Sequence, residues 1–187
     1  SLEALAESVR NRANHSQVKI IGNTALKAYG TEDGEILLNT EIGPKFFTNW
    51  SFGQTAALAQ APAAYLRRLS SPLAAACLNE GFGKTGRDES MVLANGNETI
   101  RALTSPTYGR IWDYEVVEAV QKVTTGGNWA IPSSTYSATN PKRATTLYGS
   151  DRDVFVFMVD EKNPIEVDGD NLFRGFYAGN SEVGSAV

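Results

Sequence analysis

The sequence has few of the residues that build most catalytic and metal centres. Among 187 residues it has one cysteine, Cys77, and one histidine, His15. A single cysteine excludes an internal disulfide and every multi-cysteine zinc site, and a single histidine excludes any site that needs two imidazoles. No serine stands in a Gly-x-Ser-x-Gly elbow, so no catalytic triad can be assembled. An enzyme is therefore less expected than a binding protein, and no cofactor is predicted.

Long apolar runs and an excess of positive charge are also absent. No apolar run approaches the roughly 20 residues that a membrane span requires, so no membrane partner is expected. The net charge of -4 argues against a strongly basic, histone-like binder. Hydrophobic residues make up 42% of the chain and charged residues 20%, which excludes wholesale disorder.

Negative charge is concentrated at the C-terminal end. Residues 151–187 hold eight acidic residues against three basic ones, a net of -5, so residues 1–150 sum to about +1. An acidic surface in the last fifth of the chain and a basic face elsewhere are both compatible with this distribution.

Helix and strand patterns alternate along the chain. Helices are predicted over 1–14, 51–60, 62–69, 72–79 and from Asp113 to 125. Strands are predicted over 17–21, 25–29, 35–39, 90–94, 98–104, 154–159, 165–167 and 172–178. The pattern predicts an α+β class, with hairpin-connected antiparallel sheets packed by three to five helices from the first two-thirds, in a single domain over 1–187.

Local signals support several of these boundaries. Ser51 and Gln54 have capping-box spacing, which predicts a helix start at Ser51. Pro62 and Pro72 fit first-turn positions of two further helices, and Asp113 is a predicted N-cap. Gly-containing turns at 31–34 and 95–97 predict two hairpins. The apolar run 154–159 is typical of a strand that is covered on both faces, and the polar segment 133–143 is predicted to be a long loop.

Two motifs suggest ligand chemistry only weakly. Residues 81–86 resemble a phosphate-binding loop, but Leu78 occupies the position of the required first glycine, so a flexible turn is favoured. Six acidic residues near the C-terminus could supply oxygen ligands to a hard cation, although their spacing is not that of an EF-hand: Asp151, Asp153, Asp160, Glu161, Asp168 and Asp170. Solvated acids at strand ends are the favoured interpretation.

Basic and aromatic residues give a stronger signal, because backbone phosphates need cations and unpaired bases need flat rings. Lys45, Phe46 and Phe47 are adjacent, and Arg110 lies between Tyr108 and Trp112. The residues predicted to contact nucleic acid are Arg67, Arg68, Lys84, Arg87, Arg101, Tyr108, Arg110, Trp112, Lys142 and Arg143. The competing interpretation is that these aromatics belong to the core and these arginines to an ordinary solvated surface.

Two stretches carry a family likeness. Ser105, Tyr108 and Asp113 form a Ser-x-x-Tyr-x-x-x-x-Asp pattern ahead of a predicted helix, and 180–185 reads Asn-Ser-Glu-Val-Gly-Ser after a predicted strand. With the helical region from Phe52 to Leu66, these motifs resemble the phage- and plasmid-associated domain-of-unknown-function family that carries the number nine hundred and thirty-two. Family members usually continue into further strands, so the chain is expected to be a short member or the N-terminal part of a longer protein.

The resemblance implies a setting rather than an activity. It implies mobile elements in the cytoplasm of a bacterial host, beside DNA-processing or counter-defence genes. Its signature residues form a predicted polar cluster: Arg110, Arg174, Asn180, Ser181 and Glu182. Either this cluster surrounds one groove that binds a phosphate-bearing ligand, or it is a structural network that fixes loops.

Three functions are consistent with these observations. The first is a non-enzymatic, nucleic-acid-associated accessory protein that binds single strands or a nucleoprotein partner, with self-association left open. The second is an inhibitor of host defence that binds a host protein through an acidic, DNA-mimicking C-terminal surface. The third is a metal-dependent phosphoester hydrolase that uses the C-terminal acids.

Overall fold

Two compact units make up the chain. A computed structural model describes residues 1–96, 98–132 and 146–185. One unit consists of Ser1–Asn14 and Ile111–Val187, and we call it the split unit; the other, His15–Arg110, is the central unit. The loop predicted over 133–143 lies outside the described residues.

The central unit is a six-stranded sheet with three helices. Its strands are β1 (Ser16–Gly22), β2 (Lys27–Gly30), β3 (Ile36–Thr40), β4 (Gly43–Phe47), β5 (Glu89–Asn95) and β6 (Thr99–Thr104), and its helices are α2 (Asn49–Leu58), α3 (Ala63–Leu66) and α4 (Ser71–Phe82). The strand order is β1-β5-β6-β4-β3-β2. All neighbours are antiparallel except β4 and β6, which run parallel.

The core of the central unit lies between the sheet and helices α2 and α4. Leu38, Leu78 and Ile100 are among its fully buried members. Asn79 of α4 also covers the edge strand β2: its Oδ1 accepts the Ala28 N–H at 2.7 Å and its Nδ2 donates to the Ala28 carbonyl at 2.9 Å. Close packing of α4 depends on Gly30, because a Cβ there would lie 2.4 Å from the Ser71 backbone. The amide of Asn79 thus satisfies an edge that would otherwise remain open.

The helix starts differ from the predicted ones by a few residues. The N-cap of α2 is Thr48, not Ser51; the Thr48 hydroxyl accepts the Ser51 N–H at 3.1 Å and the Ser51 hydroxyl accepts the Thr48 N–H at 3.0 Å. The capping box is therefore shifted three residues toward the N-terminus, with serine in the place of the usual glutamate. Helix α3 ends at Leu66 rather than 69, and α4 continues past 79 to Phe82, because Phe82 is buried in the core.

Strand β4 is the main element that the sequence patterns did not predict. It contains Lys45 and Phe46, which were interpreted as part of a basic and aromatic surface. The Lys45 side chain is buried and its Nζ donates to the Ile42 carbonyl at 2.9 Å. Lys45 therefore contributes no surface charge, and only Phe46 of this pair is exposed.

The split unit packs two helices on one face of a small sheet. Its helices are α1 (Leu2–Asn14) and α5 (Asp113–Thr124), and its strands are β7 (Trp129–Ala130), β8 (Leu147–Gly149), β9 (Val154–Asp160), β10 (Ile165–Val167), β11 (Asp170–Leu172) and β12 (Gly175–Asn180). Strand β9 lies between β12 on one side and β7 and β8 on the other, and all these pairs are antiparallel. Strands β10 and β11 form a separate two-stranded ribbon.

The core of the split unit joins the two ends of its sequence. Leu5 and Val9 of α1, Val117 of α5, and Val154 and Val156 of β9 form one buried cluster. Strand β9 is fully covered on one face, which contains Val154 and Val156, and partly covered on the other: Phe155 and Phe157 are half-buried and Val159 is buried. Periodicity alone cannot separate these two degrees of cover.

The predicted α+β class is confirmed. The described residues contain five α-helices, all within 2–124, and sheets that are antiparallel apart from the β4–β6 pair. Within this part of the chain no helix has the length and apolar content needed to cross a membrane.

Candidate functional site

Two of the five signature residues, Asn180 and Glu182, belong to a polar cluster in the split unit. We call this cluster the staple: Arg12, Asp113, Asn180 and Glu182. Arg12 comes from the last turn of α1. Its Nη2 lies 2.5 Å from Asp113 Oδ2 and its Nε lies 3.2 Å from Glu182 Oε1. Both carboxylates are fully buried. One guanidinium thus compensates two buried negative charges, which is the condition under which such charges are tolerated inside a protein.

Glu182 and Asn180 complete the staple through hydrogen bonds to the start of α5. The Glu182 carboxylate accepts the Asp113 N–H at 3.0 Å, and this N–H belongs to the first helical turn, which has no partner within the helix. Asn180 donates to Asp113 Oδ1 at 2.7 Å and to the Ile111 carbonyl at 2.9 Å. The prediction that Asp113 is the N-cap is therefore wrong by one residue. Asp113 is the first residue of the helix, and Trp112 takes the cap position.

Two further signature residues, Arg174 and Ser181, have partners outside the staple. Arg174 precedes β12, whereas Asn180 ends it, so the two are about 20 Å apart along an extended strand. Arg174 pairs with the buried Asp160 (Nη2 to Oδ2, 2.7 Å). Ser181 is buried and donates to the Arg152 carbonyl at 2.7 Å. Arg174 and Asn180 thus have different partners at opposite ends of β12.

Asp160 is held in its charged form. Hydrogen bonds from Asn163 are the largest cause and those from Arg174 a further one; together they lower the pKa of the Asp160 carboxyl although burial acts in the opposite direction. Asn163 Nδ2 lies 2.8 Å and 3.0 Å from the two carboxylate oxygens. Asp160 is thus an anchor for Arg174 and for the turn that follows β9, not a surface charge.

Arg110 belongs to the central unit, whereas the other four signature residues belong to the split unit. Its Nη2 lies 3.6 Å from Met91 Sδ and its guanidinium carbon lies 5.5 Å from the centre of the Tyr108 ring. Trp112, in the split unit, is half-buried and stacks on Tyr114 with ring centres 6.4 Å apart.

Arg101 is a predicted nucleic-acid contact that the fold buries. It is the extra residue of a β-bulge, because Leu93 pairs with Ala102 and Ala94 with Ile100. Only 3% of Arg101 is exposed. A bulge can turn a side chain out of its strand's alternation, so the sequence pattern could not show that this arginine is inside.

Arg87 is a predicted contact whose guanidinium lines an open cleft and, within the described part of the chain, has no protein partner. The cleft has a volume of about 440 Å³, and Gln54, Gln60 and Thr85 contribute polar groups to its lining. Among the described residues no acidic side chain lines it, and the Arg87 guanidinium has no hydrogen bond or ion pair. Its Nε is nevertheless withdrawn from water, and this partial burial lowers the pKa of the Arg87 guanidinium.

The backbone fixes Arg87 in this position. Its N–H donates to Thr85 Oγ1 at 3.4 Å, and its carbonyl accepts from Asn23 Nδ2 at 2.7 Å. Asn23 is itself buried and its Oδ1 accepts the Ser90 hydroxyl at 2.6 Å. The arginine therefore projects from a backbone that is tied to the sheet, although it follows a glycine-containing turn.

A second cleft, of about 270 Å³, holds Arg67. The Arg67 guanidinium lies 4.8 Å from the centre of the Phe52 ring, and its Nη2 donates to Asn49 Oδ1 at 2.6 Å. Glu35 also lines this cleft. The Arg67 guanidinium is thus already oriented by neutral partners, in contrast to that of Arg87.

Helix α2 connects the two clefts. Asn49 and Phe52, near its start, line the Arg67 cleft, whereas Gln54 and Leu58, further along, line the Arg87 cleft. At about 1.5 Å per helical residue, the lining residues of the two clefts lie between about 3 and about 14 Å apart along the axis of α2.

The other predicted basic residues add less. Arg68 is exposed. Lys84 is exposed and pairs with Glu80 (Nζ to Oε1, 2.5 Å), and this hydrogen bond is the largest cause that lowers the pKa of the Glu80 carboxyl. Gly81 and Phe82 are part of α4, so 81–86 do not form a phosphate-binding loop. Lys142 and Arg143 lie outside the described residues.

Among the described residues, no group of three or more histidine, cysteine, aspartate or glutamate side chains is arranged to hold a metal ion. Of the six acids considered as ligands, Asp160 is engaged with Arg174, and Asp168 and Asp170 belong to the exposed ribbon. The hydrolase alternative therefore finds no assembled centre in this part of the chain.

An aromatic ladder on the outer face of the split unit's sheet was not predicted. Tyr148 stacks on Phe155, and Phe155 on Tyr177, with ring centres 5.9 Å apart in both pairs. A Cβ at Gly175 would come within 3.0 Å of the Phe157 ring, so the glycine leaves room for aromatic cover of β12. The alternation of Val154 and Val156 with two phenylalanines is the sequence signal that could have indicated an aromatic outer face.

No family model, no curated protein and no solved structure matches the chain. The resemblance to the phage- and plasmid-associated family depends on two short motifs and stays a prediction.

Proposed function

We propose that the central unit binds a nucleic-acid strand through the Arg87 cleft, with the Arg67 cleft as a second contact. Arg87 is the observation that carries the proposal. A guanidinium keeps its charge at neutral pH, and a charge that is partly withdrawn from water is unfavourable unless an anion compensates it. Within the described residues no carboxylate supplies that compensation, so a ligand phosphate is the anion that fits.

Polar side chains in the cleft lining can add hydrogen bonds to the ion pair between Arg87 and a phosphate. Thr85 and Gln60 offer a hydroxyl and an amide beside the guanidinium, and both groups donate hydrogen bonds to phosphate oxygens in nucleic-acid complexes. Gln54 is fixed in place because its Oε1 accepts the Leu103 N–H at 2.9 Å.

The second cleft favours a polymer over a free phosphate. Residues of one helix line both clefts, up to about 14 Å apart along its axis, so an extended strand can reach both clefts, whereas a single free phosphate cannot. Arg67, whose guanidinium carbon lies 4.8 Å from the centre of the Phe52 ring, adds a cation beside an aromatic ring, as in single-strand binding sites. The motif-based family resemblance, with its expected setting among bacterial mobile elements, is consistent with this function.

The test is fluorescence anisotropy with a labelled oligonucleotide of about 20 thymidines, because single-strand sites cover about 4–16 nucleotides. We expect binding that weakens steeply between about 50 and about 200 mM salt. Arg87→Gln should weaken it about tenfold and reduce the salt slope by about one. Lys122→Gln is the matched control, since it removes one exposed positive charge from the split unit. No binding at low salt, or equal effects of the two variants, would refute the proposal.

A further inference from the structure

The ribbon formed by β10 and β11 is exposed and acidic, and it also carries large apolar side chains. It comprises Ile165 to Leu172, and every one of these eight residues is exposed. It has three acidic residues and no basic one. Its three large apolar side chains, Ile165, Val167 and Leu172, have exposed fractions of 62%, 44% and 55%.

Strand register places the apolar side chains on one face. Ile165 pairs with Leu172 and Val167 with Asp170, while Glu166 pairs with Asn171 on the opposite face. Residues that are directly opposite in an antiparallel pair project to the same side. The apolar face is therefore continuous, and Asp170 lies on it.

The turn at the end of the ribbon is well defined. Asp168 and Gly169 have φ values of 51° and 86°, and two successive positive φ angles close a two-residue hairpin with the twist that antiparallel strands prefer. Asp168 therefore holds its negative charge at a fixed tip. A two-stranded hairpin is marginally stable by itself, so covering its apolar face would be favourable for the ribbon as well as for a partner.

We infer that this ribbon is a docking surface for a basic, amphipathic segment of another protein. Charge complementarity indicates the kind of partner. Among the described residues, Glu166, Asp168 and Asp170 have no ion pair. The whole split unit has thirteen acidic residues against eight basic ones. Such a surface repels nucleic acid and a second acidic ribbon but attracts lysine and arginine side chains. Burial of three apolar side chains would add the non-polar part of the binding energy.

The experiment uses two synthetic peptides of about eight residues, matched to the length of a short strand. One alternates lysine with valine and the other alternates glutamate with valine. The labelled lysine peptide is titrated with the full chain and anisotropy is measured. We expect saturable binding of the lysine peptide and none of the glutamate peptide.

Variants of the ribbon separate the charge from the apolar contribution. Asp168→Asn with Asp170→Asn should weaken binding about fivefold, and asparagine tolerates the positive φ at 168. Ile165→Ser with Leu172→Ser should weaken it at least about tenfold. Glu32→Gln with Asp33→Asn is the matched control, because it neutralises two exposed acids at a turn of the central unit. Both ribbon variants alter exposed residues and should fold.

Three results would overturn the inference. One is equal peptide binding by the charge variant and its control. Another is preferential binding of the oligonucleotide to the ribbon, seen as a loss of its affinity in the ribbon variants. The third is sedimentation as a dimer that only the ribbon variants dissociate, since a second copy would then be the occupant. The ribbon and the Arg87 cleft lie in different units, so failure here leaves the proposed function untouched.

Discussion

Arg12 and Arg87 are the same residue type in opposite situations. Arg12 lies between two fully buried carboxylates, Asp113 and Glu182. Arg87 is half-buried in a polar cleft, and the described residues provide no acid for it. An arginine whose charge is compensated inside the protein stabilises the fold, whereas one that is desolvated without compensation is available to a ligand. The difference teaches that charge partners, rather than exposure or sequence context, distinguish the arginine that holds the fold from the one that we propose binds a ligand.

The largest effect should come from removing Arg12. Arg12→Met removes the guanidinium that contacts both buried carboxylates, and we expect a loss of about 3–5 kcal/mol in the free energy of unfolding. Urea denaturation of the variant and the wild type measures it. A loss below about 0.5 kcal/mol, the range of ordinary surface substitutions, would show that the staple is not structural.

A second substitution sharpens this result. Glu182→Gln in the Arg12→Met background removes one of the two buried charges that Arg12 contacts in the wild type, while the amide oxygen can still accept the Asp113 N–H. We expect the double variant to be more stable than Arg12→Met by about 1–2 kcal/mol, as coupling between neighbouring groups predicts. Strictly additive losses in the urea series would mean that Arg12 and Glu182 do not act as a pair.

The affinity for an oligonucleotide tests which surface binds nucleic acid, the Arg87 cleft or the aromatic ladder. Tyr177 has 73% of its surface exposed and ends the ladder in the acidic split unit. We expect Tyr177→Ala to leave the affinity within about twofold, while Arg87→Gln reduces it about tenfold, or about 1.4 kcal/mol. The reverse order in the same anisotropy titration would move the nucleic-acid site to the ladder.

Arg174 is intermediate between the two arginines, because its guanidinium is largely exposed but its partner Asp160 is buried. Since the pKa of Asp160 is lowered in the folded protein, the charged carboxylate stabilises the fold above its unfolded-state pKa, and this contribution is lost as the pH falls through the folded-state pKa. Asp160→Asn should therefore lower Tm at neutral pH, and the difference in Tm from wild type should narrow as the pH falls below the ordinary pKa range of aspartate. A gap of constant size in thermal melts would exclude a role for the charge.

The smallest effect should be that of Arg87→Gln on the free energy of unfolding. Because Arg87 has no protein partner to lose among the described residues, Arg87→Gln should change the free energy of unfolding by less than about 0.5 kcal/mol. Urea denaturation checks this beside the Arg12 variant. A loss of several kcal/mol would indicate a structural role and remove the distinction between the two arginines.

The elements with strong local signals were predictable. The β5–β6 hairpin follows from a glycine turn between two apolar runs, and β2–β3 follows from the turn at 31–34. Strand β4 was missed because Lys45, a charged residue, is buried in it. The start of α2 was misplaced because Ser51 can serve either as a cap or as the third helical residue of a capping box.

The candidate site was predictable only in part. Arg87 and Arg67 were among the residues expected to contact nucleic acid, but the same criteria also selected Arg101, which is buried. The aromatic ladder was missed because its rings come from three different strands. Residue type and local spacing do not reveal which side chains share a face when the contacts are distant in sequence.

By itself the sequence determined the fold class, the turns and the acidic C-terminal fifth, because these depend on side-chain periodicity, glycine conformations and charge, which are local properties. Tertiary structure alone decided that helix α1 joins the C-terminal strands in one unit and that Arg12 meets two carboxylates more than 100 residues away. It also decided that Arg87 faces a cleft while Arg101 is buried. The physical reason is that burial and charge compensation depend on which distant segments pack together, and no local pattern encodes that choice.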